Sequence, residues 1–139
     1  MPSTPGTPRW SQLIEAVRDS GQYATKSEAE RVTRIVLSAL GGHVVGDERV
    51  ELARRLPEQA ARVLASQVPA VRRLTAAEFV DEVATRIEGS TPATARWDVS
   101  SVLSVVASTV GDDLVTRVLH QLPRGYALLF GRAELPPAA

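Results

Sequence analysis

The residues able to do chemistry are few. The chain has 139 residues, two histidines (His43 and His120) and no cysteine. Ser104, His120 and Asp113 supply the residue types of an acyl-transfer set. However, no nucleophile elbow frames Ser104, and Asp113 is explained as an acid at a helix start. His43 follows the helix stop Gly41-Gly42, where an imidazole interacts favourably with the helix dipole. His120 follows Leu119 in an apolar helical pattern and reads as a partly exposed ring with a polar partner. A metal site needs clustered His, Cys or carboxylate ligands. Glu28, Glu30, Asp112 and Asp113 instead read as helix-start acids, and no glycine-rich phosphate loop is present. The expectation is a non-enzyme with no catalytic residue, cofactor or metal.

One charge cluster stands out. Arg54, Arg55, Arg62, Arg72 and Arg73 face only Glu58 between positions 54 and 73. Such a local excess is a candidate patch for an anion or an acidic partner, nucleic acid included. The alternative is a solvated face whose arginines pair with acids elsewhere in the fold, and that is the expected case. Trp10 and Trp97 could stack bases, but neither interleaves with these arginines. Both are expected to pack as core or half-core side chains. Formal net charge is zero, and 44% of residues are hydrophobic. The chain as a whole is therefore no polyanion binder, and wholesale disorder is not expected. The apolar stretch Val102–Val110 is too short and too interrupted to span a bilayer. Without a signal peptide or cysteines, the expectation is a soluble cytoplasmic protein.

The elements that must position these residues are helices. Thr7-Pro8 opens the first, with Trp10, Leu13, Ile14 and Val17 on one face. Thr25…Glu28 forms a capping box before Ala29, Val32, Val36, Ala39 and Leu40. Gly46-Asp47 starts the third helix, which carries Leu52, Ala53 and Leu56, and Pro57 both ends it and opens the fourth. Ala60, Ala61, Val63 and Leu64 are the buried side of the fourth. After a connector over 67–75, Thr75…Glu78 caps the fifth helix (Phe79, Val80, Val83, Ile87), which Gly89 ends. Thr91-Pro92 opens the sixth, with Ala95, Val99, Val102, Leu103 and Val106 inward. Asp112-Asp113 caps the seventh (Leu114, Val115, Val118, Leu119, Leu122), and Tyr126, Leu129 and Phe130 close the eighth. The tails over 1–8 and 133–139 are expected to be disordered.

The chain reads as two copies of one unit. Leu56-Pro57 and Leu122-Pro123 lie 66 positions apart, and 11 of 57 residues are identical at that offset between 10–66 and 76–132. The stronger sign is punctuation, because caps, stops and Leu-Pro breaks coincide. A four-helix unit this small leaves an apolar face bare, so two units should share one core. The expected fold is a compact all-α bundle of about eight helices, built as a single domain over 9–132 from two pseudo-twofold four-helix repeats. The expected role is a protein-binding or assembly module acting through a helical surface. Nucleic-acid or acidic-partner binding is the alternative.

Three segments carry a family resemblance. Gln121-Leu122-Pro123 followed by Phe130 looks like a terminal "QLP…F" signature. Arg55-Leu56-Pro57-Glu58 is similar to its earlier copy, with arginine in place of the usual glutamine. Ala76–Val83 resembles the mid-chain segment. Together they resemble the bacterial domain-of-unknown-function family 2267 from about Trp10 to Arg132. The resemblance implies an all-helical bacterial protein and carries no catalytic residues.

Overall fold

A computed structural model describes residues 9–70 and 72–132. The Thr7-Pro8 start and both expected tails lie outside the described residues. Eight helices follow in order: α1 (Trp10–Gly21), α2 (Lys26–Gly41), α3 (Gly46–Arg55), α4 (Glu58–Ala65), α5 (Ala76–Arg86), α6 (Pro92–Val110), α7 (Asp112–Gln121) and α8 (Tyr126–Leu129). No strand occurs among the described residues. The fold is an all-α bundle.

Local chemistry sets the boundaries. The Thr25 hydroxyl accepts from Glu28 N at 3.1 Å and starts α2. At α5 both arms of the box form: Thr75 accepts from Glu78 N, and Glu78 accepts from Thr75 N. Thr91 and Thr94 make the same reciprocal pair before α6, with Pro92 at the first turn. Two expected caps differ. The residue at the cap of α3 is Val45 and that of α7 is Gly111, neither with a side-chain cap. Asp47, Asp112 and Asp113 instead sit in the first turn, where a negative charge meets the positive end of the helix. The fifth helix also stops earlier than expected, at Arg86, and Gly89 serves the following turn at φ +76°.

α2 and α6 are the central pair. α1 packs on both of them, and so does α5; α4 lies on α2, α8 lies on α6, and α3 meets α7. Each first helix therefore contacts the second helix of both halves. Leu13, Ile14 and Val17 of α1 share one core with Val99, Val102 and Leu103 of α6, all buried. Polar atoms on these faces are satisfied in place. Thr33 donates to Ala29 O at 2.7 Å, and Ser101 donates to Trp97 O at 2.7 Å. Among the described residues no buried side-chain N or O lacks a partner.

Helix starts in the two halves fall at positions 10 and 76, 26 and 92, 46 and 112, and 58 and 126. The first three pairs keep the 66-residue spacing. The fourth departs by two residues, because Gly125 at φ +100° delays α8.

Full burial of one aliphatic side chain stabilises by roughly 1.5–3 kcal/mol. Removing α6 strips that contribution from the part of α1's inner face that α2 does not cover. A fragment of residues 1–75 is expected to lack a cooperative thermal transition by circular dichroism. A monomeric fragment melting with a sigmoid would overturn the shared-core account.

Candidate functional site

The arginines of the 54–73 stretch are not gathered in one place. Arg54 pairs with Glu51 at 3.1 Å, and Arg62 pairs with Glu58, both on exposed helix surface. Arg72 pairs with Glu78 at 3.3 Å. Arg73 is exposed on the connector. Arg54 lines one cavity, and Arg72 and Arg73 line another. Arg55 points inward between the halves.

Arg55 belongs to a clasp that ties the halves together. Its Nη1 donates to Val110 O at 2.8 Å and to Asp113 Oδ1 at 3.2 Å, and its Nε donates to Glu51 at 3.0 Å. Gln121 stands at the same place in the second half. Its Oε1 accepts from Val45 N at 3.0 Å, while its Nε2 donates to Val45 O at 2.9 Å and to Glu48 at 2.6 Å. The residue before each Leu-Pro break thus reaches across to the start of α3 or α7 in the other half. A glutamine amide can both give and take a bond; a guanidinium only donates. Arg55 therefore engages the Val110 carbonyl and needs Asp113 as its counter-charge. Gly111 adopts φ +98°, a conformation L side chains rarely take, and a Cβ there would press on Asp113 Oδ1 at 3.2 Å. Arg117 adds a second tie to Glu48 at 3.0 Å.

An open groove lies between α3 and α4. It is a cavity of about 360 Å³ lined by Arg49, Val50, Ala53, Arg54, Leu64 and Ala65. Its origin is a deficit of side-chain volume. At the 66-residue offset, Ala53 pairs with Leu119, Ala60 with Tyr126 and Leu64 with Phe130. Those larger partners are buried in the second half. In the first half Ala53, Ala61 and Val63 are only partly buried, although they were expected to be core, and Val50 is 59% exposed. Arg49 braces one wall by donating to the carbonyls of Leu64, Ala65 and Gln67, the last at 2.7 Å.

The residues considered for catalysis are dispersed. Ser104 lines a cavity with Ser108, Asp112, Phe130 and Arg132. Asp113 is held by Arg55, and His120 is exposed on α7. His43 is more enclosed. Its ring lies edge-on to Phe79 with centroids 5.8 Å apart, and its Nε2 is 3.9 Å from Glu82 Oε2. Burial pushes its pKa down; Glu82 opposes this and Arg86 adds to it.

Sequence reasoning missed one polar pair. Tyr23 donates to Asp98 Oδ1 at 2.6 Å, joining the α1–α2 turn to α6. Burial pushes the Asp98 carboxyl up, against the lowering effect of the Tyr23 hydrogen bond. Trp97, expected in or near the core, is 55% exposed, because Asp98 takes the inward place beside it. Its indole N–H still donates to Gly21 O at 3.0 Å. By contrast Trp10 is partly buried, with Arg34 stacked 4.9 Å from its ring centre.

Two stability predictions follow from these contacts. Gln121→Ala is expected to cost about 1–2 kcal/mol for its lost cross-half bonds, whereas Arg54→Ala costs roughly 0–0.5 kcal/mol, as exposed pairs do. Urea titration ranks them, and equal costs would refute the clasp. Arginine partners hold Glu48 and Asp113 below their ordinary values of 4.5 and 3.8. Their contribution is therefore present above those values and lost as pH falls through the lower folded ones. Asp98 has the opposite sign: its folded carboxyl binds a proton more tightly, so its charge opposes folding at neutral pH. Asp98→Asn keeps an acceptor for Tyr23 without that charge. Its melting temperature at pH 7 should equal or exceed the parent's, and a clear drop would show that the charged form is required.

The whole helical span matches one family model. The match covers residues 10–129, the first residue of α1 to the last of α8, under the description "Uncharacterized conserved protein (DUF2267)". No curated protein matches the sequence. A match over most of the chain, with the Gln121-Leu122-Pro123 and Arg55-Leu56-Pro57 corners clasping opposite halves, makes this chain a member of the DUF2267 family.

Proposed function

We propose that the protein is a non-enzymatic binding module of the cytoplasm whose docking surface is the α3–α4 groove. The supporting observation is an open apolar groove along Val50, Ala53 and Ala65, with the fully buried Leu64 behind it. The only charged residues lining it are Arg49 and Arg54. That combination fits a partner segment that inserts an apolar side chain and carries carboxylates beside it. The nucleic-acid reading draws less support, since the five arginines first considered do not share one face: Arg54 lines this groove, Arg55 reaches Val110 and Asp113 across the halves, and Arg72 and Arg73 line a separate cavity.

Ala53→Leu tests the groove directly. It places in the first half the residue type that the second half has at Leu119, so it fills the groove without disturbing the core. A photo-crosslinking amino acid at Val50 should trap one protein species in the native cell. The adduct should disappear in the Ala53→Leu background while the melting temperature is held or raised. The same reporter at exposed Ser11 should give no such adduct. The absence of an adduct at Val50, its survival in Ala53→Leu, or an adduct with the mass of two copies of this chain would overturn the proposal.

A further inference from the structure

A second cavity, remote in kind from the apolar groove, sits where the inter-half connector folds over the end of α2. The helix stops at Gly41, and His43 N donates to Leu40 O at 2.9 Å as the chain turns. The connector returns to the same place, with Ala70 N donating to Gly42 O at 2.7 Å. The result is a cavity of about 260 Å³ lined by Gly42, His43, Val45, Ala70, Arg72 and Arg73. That is several times the roughly 30 Å³ of one water molecule.

The lining contains two guanidiniums and an imidazole, and no carboxylate. The nearby acids are Glu78, paired with Arg72, and Glu82, paired with Arg86 at 3.3 Å and lying beside His43. Three arginines therefore face two carboxylates, an excess of one positive charge that becomes two when His43 is protonated. The Arg72–Glu78 pair is exposed on both sides, 69% and 43%, so its partners are screened and exchangeable. Arg73 makes no ion pair among the described residues. Val45, 46% exposed, adds apolar surface at the rim.

We propose that His43, Arg72 and Arg73 form a binding site for the phosphate group of a small phosphomonoester. A guanidinium presents a planar fork that matches two oxygens of a tetrahedral oxyanion, and two forks beside an imidazole can satisfy three. The ring of His43 is held edge-on against Phe79, with its Nε2 3.9 Å from Glu82 Oε2. Val45 faces the organic part of the ligand. A bound phosphate anion favours the imidazolium form and so raises the His43 titration midpoint, with Glu82 and Arg86 acting on the same ring in opposite directions.

With two histidines in the chain, proton NMR reads the site directly, and exposed His120 is the internal control. Inorganic phosphate and phenyl phosphate are titrated at constant ionic strength. Both should shift the His43 ring resonance saturably and raise its titration midpoint while leaving His120 in place, with phenyl phosphate the tighter. Arg73→Ala and Arg72→Ala should each weaken binding by about tenfold for the lost charge-assisted contact, with unchanged circular dichroism. The proposal is overturned by a His43 signal that does not saturate, by equal movement of both histidines, or by arginine variants that bind as the parent does. Tighter binding of inorganic phosphate than of the ester would overturn the assignment of a monoester. None of these results bears on the α3–α4 groove.

Discussion

The arrangement depends on what happens at the two Leu-Pro corners. Proline ends each third helix by disfavouring helical geometry in the residue before it, and the side chain just upstream is left at the boundary between halves. Gln121 uses that position to pair with both backbone groups of Val45, and Arg55 uses it to hold the Val110 carbonyl. These bonds fix how α3 meets α7. Hydrophobic contact between α2 and α6 is non-directional and would tolerate sliding; the corner bonds define one register. The residues before the two Leu-Pro corners thus hold the halves in register.

The same corners differ in chemistry between the two halves. Arg55, where the second half has Gln121, finds its counter-charge in Asp113. Side-chain volume differs too. Tyr126 and Phe130 fill the second half, and the Tyr126 hydroxyl donates to Leu74 O at 3.0 Å to pin the connector. The first half has Ala60 and Leu64 at those places and stays open along α3 and α4. The groove between α3 and α4 thus lies open in the first half.

Much of this fold was legible in the sequence because its signals are local. Thr75…Glu78, Thr91-Pro92 and the Leu-Pro breaks act within one helical turn, and the 3.6-residue pattern identifies Leu13, Ile14, Val17, Val36, Val102 and Leu103 as core. The caps of α3 and α7 differ from expectation because Val45 is held by Gln121 of the other half, and the residue before Gly111, Val110, by Arg55, contacts that no local pattern reveals. The Tyr23–Asp98 bond spans 75 positions and was invisible for the same reason. The α3–α4 groove escaped detection because apolar periodicity marks a face as buried without asking whether the facing side chains are large enough to cover it. The arginine patch looked coherent only while its members were neighbours in the chain.

The interleaving of α1 with both α2 and α6 has a consequence for synthesis of the protein. A chain emerging from the ribosome presents Leu13, Ile14 and Val17 long before α6, which ends at Val110, has been made. Until then the first half carries a greasy stripe with only part of its cover, and completion of the core waits for contacts distant in sequence. Vectorial, helix-by-helix maturation is thus closed to this topology. The nascent polypeptide must remain protected, or remain loosely collapsed, through most of its translation.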